Sequence, residues 1–156
     1  MNKLCVVRPC MKDSANYMMW FADAWIEQGV RCVKKEKSIF NLFFRRLPRK
    51  VKYILLFFLQ LCRKKSEYLI IPMGGGTCLE DVFPFCYKYN IVPYIWDCWP
   101  NTWKNVLQMM KILHIKKCFI SSSLVCNELS REMVPTQFIF VPEGINTKVY
   151  LKGDIL

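Results

Sequence analysis

The sequence predicts an α/β domain built on a doubly wound, mostly parallel sheet of the Rossmann-like kind. Two observations predict this class. Strand-like and helix-like segments alternate along the chain, and the strand-like segments are apolar at consecutive positions rather than at every second one. A strand that is apolar on both faces must be covered on both faces, and helices cover a parallel sheet in this way.

The first elements follow from local signals. Residues 3–8 form a short apolar run that predicts a strand. Residues 13–28 predict a helix, because large apolar side chains recur three and four positions apart and Gly29 can end it. Residues 30–33 predict a second strand, and residues 38–46 predict a short amphipathic helix or turn.

The later elements alternate regularly. Pro48, which the first turn of a helix tolerates, opens a predicted helix at residues 48–65. Further strands are predicted at residues 68–72, 92–96, 117–121 and 137–141. Further helices are predicted at residues 77–89, 99–113 and 123–133. Ligands of such sheets bind beyond the carboxyl ends of the strands, so the loops that follow the strands are the candidate sites.

Composition limits the class of protein. The chain has 156 residues, of which 53% are hydrophobic, which predicts one folded domain rather than a disordered chain. Its nine cysteines form no CxxC pair and follow no secretory signal, which favours a reducing compartment and argues against a disulfide framework or a metal site. The longest apolar run, residues 54–59, is too short to span a bilayer. We therefore expect a cytoplasmic protein.

The net charge of +11 is concentrated in one segment. Residues 31–65 contain twelve of the 23 basic residues and one of the 12 acidic residues, so the rest of the chain is neutral. The helix at residues 48–65 carries one apolar row: Val51, Ile54, Leu55, Phe58, Leu61 and Cys62. Basic residues flank this row: Arg45, Arg46, Arg49, Lys50, Lys52, Arg63, Lys64 and Lys65.

This pattern predicts that the helix lies on the surface of an anionic membrane, with the basic side chains reaching the headgroups. An ordinary core helix with solvated ends is the alternative. Nucleic acid is not the expected partner, because no aromatic side chain alternates with the basic ones as a base-stacking surface requires.

Two motifs follow predicted strands. In PYIWDCWPNTW, Asp97 ends a buried strand and Trp99 follows it, so a carboxylate and a flat apolar ring lie where a sugar could bind. The alternative is that Asp97 caps the next helix and the tryptophans fill the core. In MGGGTCLED, Gly74, Gly75 and Gly76 could bring backbone N–H groups close to an anion, or could simply allow a tight turn.

The single histidine, His114, follows an apolar helix. It could activate a cysteine nucleophile such as Cys98, or it could be a histidine that ends a helix.

In order along the chain, PYIWDCWP, KKCFISSSLVCNELSRE and FIFVPEGINTKVY resemble the N-terminal half of a family 4 glycosyltransferase of the two-domain GT-B fold. The resemblance implies an acceptor-side domain at residues 1–141 and a hinge at residues 142–156, leading to a donor-binding domain that is absent. The hinge motif comprises Pro142, Glu143, Gly144 and Asn146, and Asn146 stands where the family usually has Asp.

The resemblance also implies a function. The complete enzyme is expected to transfer a sugar from a nucleotide-sugar donor, with retention, to a glycan or glycolipid acceptor during assembly of surface polysaccharide at the inner membrane face. Asp97 is the expected catalytic residue, and the glycine loop, Trp99, Ser121 and Ser122 are expected to line the acceptor cleft. This chain alone is expected to bind no cofactor and to need a second domain or partner chain. The alternatives are a non-catalytic, membrane-recruiting subunit of a split enzyme and an unrelated α/β domain that binds a small anion.

Overall fold

The computed structural model describes residues 3–8, 17–34, 39–61, 67–74, 79–83, 85–96 and 98–142. Within these ranges the strands are β1 (Lys3–Arg8), β2 (Arg31–Lys34), β3 (Glu67–Met73), β4 (Asn90–Ile95), β5 (Lys117–Ile120) and β6 (Gln137–Phe140). They form one sheet in the order β2-β1-β3-β4-β5-β6, and every neighbouring pair is parallel. The predicted α/β class and parallel sheet are confirmed.

Helices occupy the connections between the strands. They are α1 (Tyr17–Glu27), α2 (Ile39–Arg46), α3 (Arg49–Leu61), α4 (Leu79–Val82), α5 (Pro100–Ile112) and α6 (Ser123–Ser130). The connection from β2 to β3 carries two helices, α2 and α3, and takes the chain from one side of β1 to the other.

The central strands of the sheet are buried on both faces. Along β3, Leu69 and Ile71 belong to one buried cluster while Ile70, which points to the opposite face, belongs to another. The first cluster is covered by side chains of α2 to α6, including the fully buried Met109. In the second cluster, Ala22 and its neighbours on α1 cover the sheet, and they are the described helical residues on that face. Because both faces of these strands are buried, their sequences are apolar at consecutive positions.

The order of the strands defines a switch point. From β1 the chain adds β2 on one side and then adds β3, β4, β5 and β6 on the other side. In open α/β sheets, ligands bind in the crevice beyond the carboxyl ends of the two strands at such a point. That crevice lies between the end of β1 at Arg8 and the end of β3 at Met73.

One predicted helix is much shorter than expected. Among the described residues of the segment predicted as a helix at residues 77–89, only α4 is helical, and the described residues after it form turns. Proline has no N–H to donate to the preceding turn and its ring clashes with that turn, so Pro84 explains why the helix ends. Hydrogen bonds from the Phe85 N–H to the Val82 carbonyl and from the Tyr89 N–H to the Phe85 carbonyl, at 3.0 Å each, stabilise the turns instead.

Helix α3 has two apolar faces that differ in exposure. Leu56 is completely buried in the larger cluster, whereas Ile54 and Phe58 are more than half exposed. The exposed face carries the described members of the apolar row that the sequence predicted for a membrane surface. None of the helices in the described ranges is long and apolar enough to cross a membrane.

Replacing Leu56 by Ala is expected to lower the free energy of unfolding by about 2–5 kcal/mol, because it leaves a cavity under α3. The matched control is Leu61→Ala on the exposed side of the same helix, where the side chain is 62% exposed and the expected change is within about 0.5 kcal/mol. Urea denaturation followed by circular dichroism measures both. Equal losses in the two variants would mean that the buried and exposed faces of α3 are assigned incorrectly.

Candidate functional site

The carboxyl ends of four strands are held together by backbone hydrogen bonds just beyond the strands. The Trp96 N–H donates to the Met73 carbonyl at 3.1 Å, the Ser121 N–H to the Ile95 carbonyl at 3.2 Å, and the Val141 N–H to the Ile120 carbonyl at 2.9 Å. Neighbouring strands lie about 4.8 Å apart, so the ends of β3, β4 and β5 span about 10 Å. This edge has the width of one small ligand.

The residues predicted to line a cleft follow these strand ends where they are described. Gly74 follows β3, Trp99 precedes α5, and Ser121 follows β5, so all three lie at the same edge of the sheet. Ser121 and Ser122 are half-buried. The predicted catalytic residue Asp97 and the loop residues Gly75 and Gly76 lie outside the described residues.

Ser122 has a structural role that the sequence analysis did not assign. It is the N-cap of α6, and its hydroxyl oxygen accepts a hydrogen bond from the Val125 N–H at 3.4 Å. A serine directly before a helix is the ordinary signal for such a cap, and it was available in the sequence. The hydroxyl of Ser122 is therefore oriented by α6.

Trp99 presents its indole to solvent. It is 66% exposed at the N-cap position of α5, although it supplies no side-chain cap. The backbone around it is fixed by other groups: the Trp103 indole N–H donates to the Cys98 carbonyl at 3.2 Å, and the Thr102 hydroxyl donates to the Trp99 carbonyl at 2.8 Å. An exposed aromatic ring on a fixed backbone can stack on a flat apolar surface such as one face of a sugar ring.

An ion pair stands at the switch point. Arg8, the last residue of β1, donates from Nε to Asp23 Oδ1 at 2.7 Å and from Nη2 to Asp23 Oδ2 at 3.2 Å. The pair ties the end of β1 to α1 and offsets the charge that Arg8 would otherwise offer to an anion. The sequence analysis missed this pair, because it joins residues 15 positions apart on two elements.

The structure contradicts the possibility that His114 activates Cys98 as a nucleophile. Cys98 lies just before α5 and His114 just after it, so the 13-residue helix separates them by about 20 Å. His114 is exposed and packs against Phe57 of α3, with ring centroids 5.7 Å apart. It also adopts a left-handed backbone conformation, with φ of 47°, which suits the end of a helix. The alternative interpretation, that His114 is a histidine at the end of a helix, is the one that fits the structure.

Burial disfavours the reactive thiolate form of three cysteines. It raises the pKa of Cys98 and of Cys126, and it raises the pKa of the completely buried Cys118 well above the usual value, with the neighbouring Cys98 and Cys126 adding to the effect. A nucleophilic cysteine needs a lowered pKa, so these three pack as small apolar side chains. Within the described ranges, no three His, Cys, Asp or Glu side chains lie where they could hold a metal ion.

A cavity of about 40 Å³ lies at the opposite, amino-terminal edge of the sheet, between Tyr68, Asn90 and His114. Its volume suits one or two water molecules rather than a sugar. It is therefore separate from the candidate site.

The chain leaves the sheet at the same edge as the candidate site. The Tyr94 hydroxyl donates to the Val141 carbonyl at 3.1 Å, and the Tyr94 ring stacks on Phe21 with centroids 3.9 Å apart. Pro142, the first predicted hinge residue, follows directly and is exposed. Glu143, Gly144 and Asn146 of the predicted hinge lie outside the described residues.

The predicted membrane-surface residues divide into three groups. Four are exposed on α2 and α3: Arg45, Arg46, Arg49 and Lys50. Three lie outside the described residues: Arg63, Lys64 and Lys65. The last, Lys52, corrects the prediction, because it is buried, donates from Nζ to the Arg45 carbonyl at 3.0 Å and lies over the Phe44 ring. Its charge stabilises the carboxyl end of α2 instead of meeting a membrane.

No protein-family model, curated protein or solved structure matches this chain. The fold and the site together define an α/β domain with a candidate ligand edge and a separate basic, apolar surface.

The pKa directions predict slow alkylation of the core thiols. Iodoacetamide reacts with thiolates, so at neutral pH Cys98 and Cys118 should be modified more slowly in the folded protein than after unfolding, and Cys118 should be protected most. The rate at Cys98 should rise as the pH rises toward its elevated pKa. Half-buried Cys32 on β2 is the control that should react first, and peptide mass spectrometry measures all three. Rapid modification of Cys98 in the folded protein would show that it is an activated thiol.

Tyr94→Phe is expected to lower the free energy of unfolding by about 1 kcal/mol, because it removes the hydrogen bond to Val141 and keeps the ring that stacks on Phe21. Hydrogen exchange at the Val141 N–H should accelerate by more than exchange elsewhere in β5 and β6. Tyr87→Phe, at an exposed tyrosine, is the control and should change neither quantity. An unchanged exchange rate in Tyr94→Phe would mean that this hydroxyl does not fix the exit of the chain.

Proposed function

We propose that this chain is the acceptor-side half of a retaining glycosyltransferase that assembles surface polysaccharide or glycolipid at the inner face of a membrane. The observation that carries the proposal is the arrangement of one edge of the sheet. Gly74, Trp99 and Ser121 follow neighbouring parallel strands, and the chain leaves the sheet beside them at Pro142. The proposal rests equally on the resemblance of the motifs at residues 93–100, 116–132 and 138–150.

The roles follow from the chemistry of the side chains. The exposed indole of Trp99 would stack on the apolar face of the acceptor sugar. Asp97 would orient or polarise a sugar hydroxyl near the reacting centre, as a carboxylate within hydrogen-bond reach can. The nucleotide-sugar donor would be held by a second domain or partner chain. Sugar transfer requires donor and acceptor to be positioned together, so this half alone would be inactive.

The basic segment supports the membrane part of the proposal. Arg45, Arg46, Arg49 and Lys50 are exposed next to an apolar helix face, and an anionic membrane surface attracts such side chains by about 1 kcal/mol each. A glycolipid acceptor would then be delivered by lateral diffusion in the membrane to which the protein is bound.

A second candidate function is a non-catalytic subunit that recruits a partner enzyme to the membrane. The exposed face of α3 favours it, because that face would recruit a partner without any chemistry at the strand edge. In this case Asp97 would have no effect on turnover.

The test uses the protein purified from its own cells with whatever chain accompanies it. A panel of radiolabelled nucleotide sugars is offered with a lipid extract of the same cells, and transfer to lipid is measured. Asp97→Asn is expected to lower kcat by roughly 100-fold or more, because it removes the carboxylate charge that would orient or polarise the sugar hydroxyl. Glu132→Gln, the same chemical change at an exposed position after α6, is the control and should leave kcat unchanged.

The other outcomes separate the candidates. Unchanged kcat in Asp97→Asn, with a co-purified chain that carries the activity, would favour the recruiting subunit. Absence of transfer with every donor would contradict the glycosyltransferase proposal. Saturable binding of a free nucleotide by this chain alone would favour a domain that binds a small anion.

A further inference from the structure

The outer surface of α2 and α3 is unusually apolar for a surface in contact with water. Leu42, Phe43, Ile54, Phe58 and Leu61 are each 55–63% exposed. We call these five side chains the α2–α3 surface. Scattered exposed apolar residues are ordinary, but five large ones on two consecutive helices indicate a surface that binds something apolar.

The same helices are already packed on their inner side. Phe44 of α2 stacks on Phe83 with ring centroids 4.0 Å apart and is 1% exposed, and Leu56 of α3 is completely buried. Both residues belong to the larger buried cluster under the sheet. The α2–α3 surface is therefore additional to the apolar faces that fold the domain.

The charges around the surface identify its occupant. Arg45, Arg46, Arg49 and Lys50 are exposed at the junction of α2 and α3, and residues 37–66 contain no Asp or Glu. An anionic bilayer matches both features, because it offers hydrocarbon to the apolar side chains and phosphate to the basic ones. Nucleic acid would match the charge but would leave Leu42, Ile54 and Leu61 without an apolar partner.

The two helices are tied together at their junction. Only Leu47 and Pro48 separate them, and buried Lys52 of α3 donates to the Arg45 carbonyl at the end of α2. Within α3, Arg49 lies against Tyr53, with Nη2 3.3 Å from the hydroxyl and the guanidinium over the ring, which restrains this basic side chain. A surface held in this way loses little conformational entropy when it binds.

We propose that α2 and α3 together form a wedge that inserts the α2–α3 surface into the interfacial layer of an anionic bilayer. The apolar side chains enter the acyl boundary by about 5–10 Å, and the four exposed basic side chains remain among the headgroups. The inference rests on the membrane part of the proposed function and specifies its mechanism, but it does not depend on sugar transfer. It assigns the anchoring role to α2 as well as to α3.

Insertion and electrostatic adsorption respond differently to salt. At 1 M salt the Debye length is about 3 Å, so attraction between the basic side chains and the headgroups is largely screened. Burial of apolar surface persists under these conditions, because it does not depend on charge. A wedge should therefore retain part of its affinity for anionic vesicles at high salt.

The experiment measures co-flotation of the purified protein with vesicles of phosphatidylcholine alone or of phosphatidylcholine with phosphatidylglycerol, at low and high salt. The wild type should bind the vesicles that contain phosphatidylglycerol and retain measurable binding at high salt. The double variant Phe43→Ser, Phe58→Ser should lower the partition coefficient about 100-fold at both salt concentrations, which corresponds to about 2.8 kcal/mol. The matched control Leu124→Ser, Met133→Ser removes two exposed apolar side chains of α6 and the turn after it and should change binding by less than about twofold.

A second pair of double variants separates the contribution of the basic charges from the contribution of apolar insertion. Arg46→Ala, Lys50→Ala should lower the partition coefficient roughly 25-fold at low salt and by much less at high salt. Lys111→Ala, Lys117→Ala, which removes two exposed basic residues of α5 and β5, is its control and should have a much smaller effect at either salt concentration. Thermal unfolding tests whether each variant folds. Because all the substituted side chains are exposed, we expect the melting temperature to stay unchanged.

Two results would overturn the wedge and leave adsorption to the membrane intact: complete loss of wild-type binding at high salt, or unchanged binding in Phe43→Ser, Phe58→Ser. No binding of the wild type to either vesicle would contradict both the wedge and the membrane part of the proposed function, while the assay with Asp97→Asn still tests sugar transfer separately. A wild-type dimer that Phe43→Ser, Phe58→Ser dissociates would identify a second copy of the chain as the occupant and would also overturn the wedge.

Discussion

The passage of the chain from β2 back across β1 to β3 is the constraint on which the other features depend. Parallel strands need a connection that returns to the starting edge, and this one must also cross an existing strand. It sets the switch point between β1 and β3, and it brings α2 and α3 to the sheet. Apart from Arg31 and Lys34 of β2, the basic residues of this segment lie in this one connection, so the crossover that organises the sheet also carries the proposed membrane surface.

The candidate ligand edge and the proposed membrane surface use different parts of the fold. The edge is made from strand ends, which backbone hydrogen bonds hold in place. The surface is made from the outer sides of two helices, whose inner sides are packed against the sheet through Phe44 and Leu56. Substitutions on the outer side can therefore alter binding without altering the edge, and this separation is what allows membrane binding and sugar transfer to be tested independently.

Much of this fold could be predicted from the sequence because buried parallel strands and amphipathic helices leave local patterns. The exposed row on α3 was predicted from the spacing of Ile54 and Phe58, and the positions of Trp99 and Ser121 from the strands before them. Strand order has no local pattern, so the switch point beside Arg8 was not predictable. The sequence alone does not distinguish Lys52 from the surface cations around it. Its burial depends on contacts with the Arg45 carbonyl and the Phe44 ring, which only the structure shows. Pro84, within the segment predicted as a helix at residues 77–89, was a signal in the sequence for the early end of α4.

The hydrogen bond between Tyr94 and Val141 has a consequence for anything that follows Pro142. It fixes the starting point of the next segment beside the candidate edge. A group joined to that point by a short flexible linker meets the edge at an effective concentration in the millimolar range, whatever its concentration in the cell. A domain attached there would need only weak intrinsic affinity for the candidate edge to close over it, and weak affinity would also allow it to open again when a bound ligand must leave.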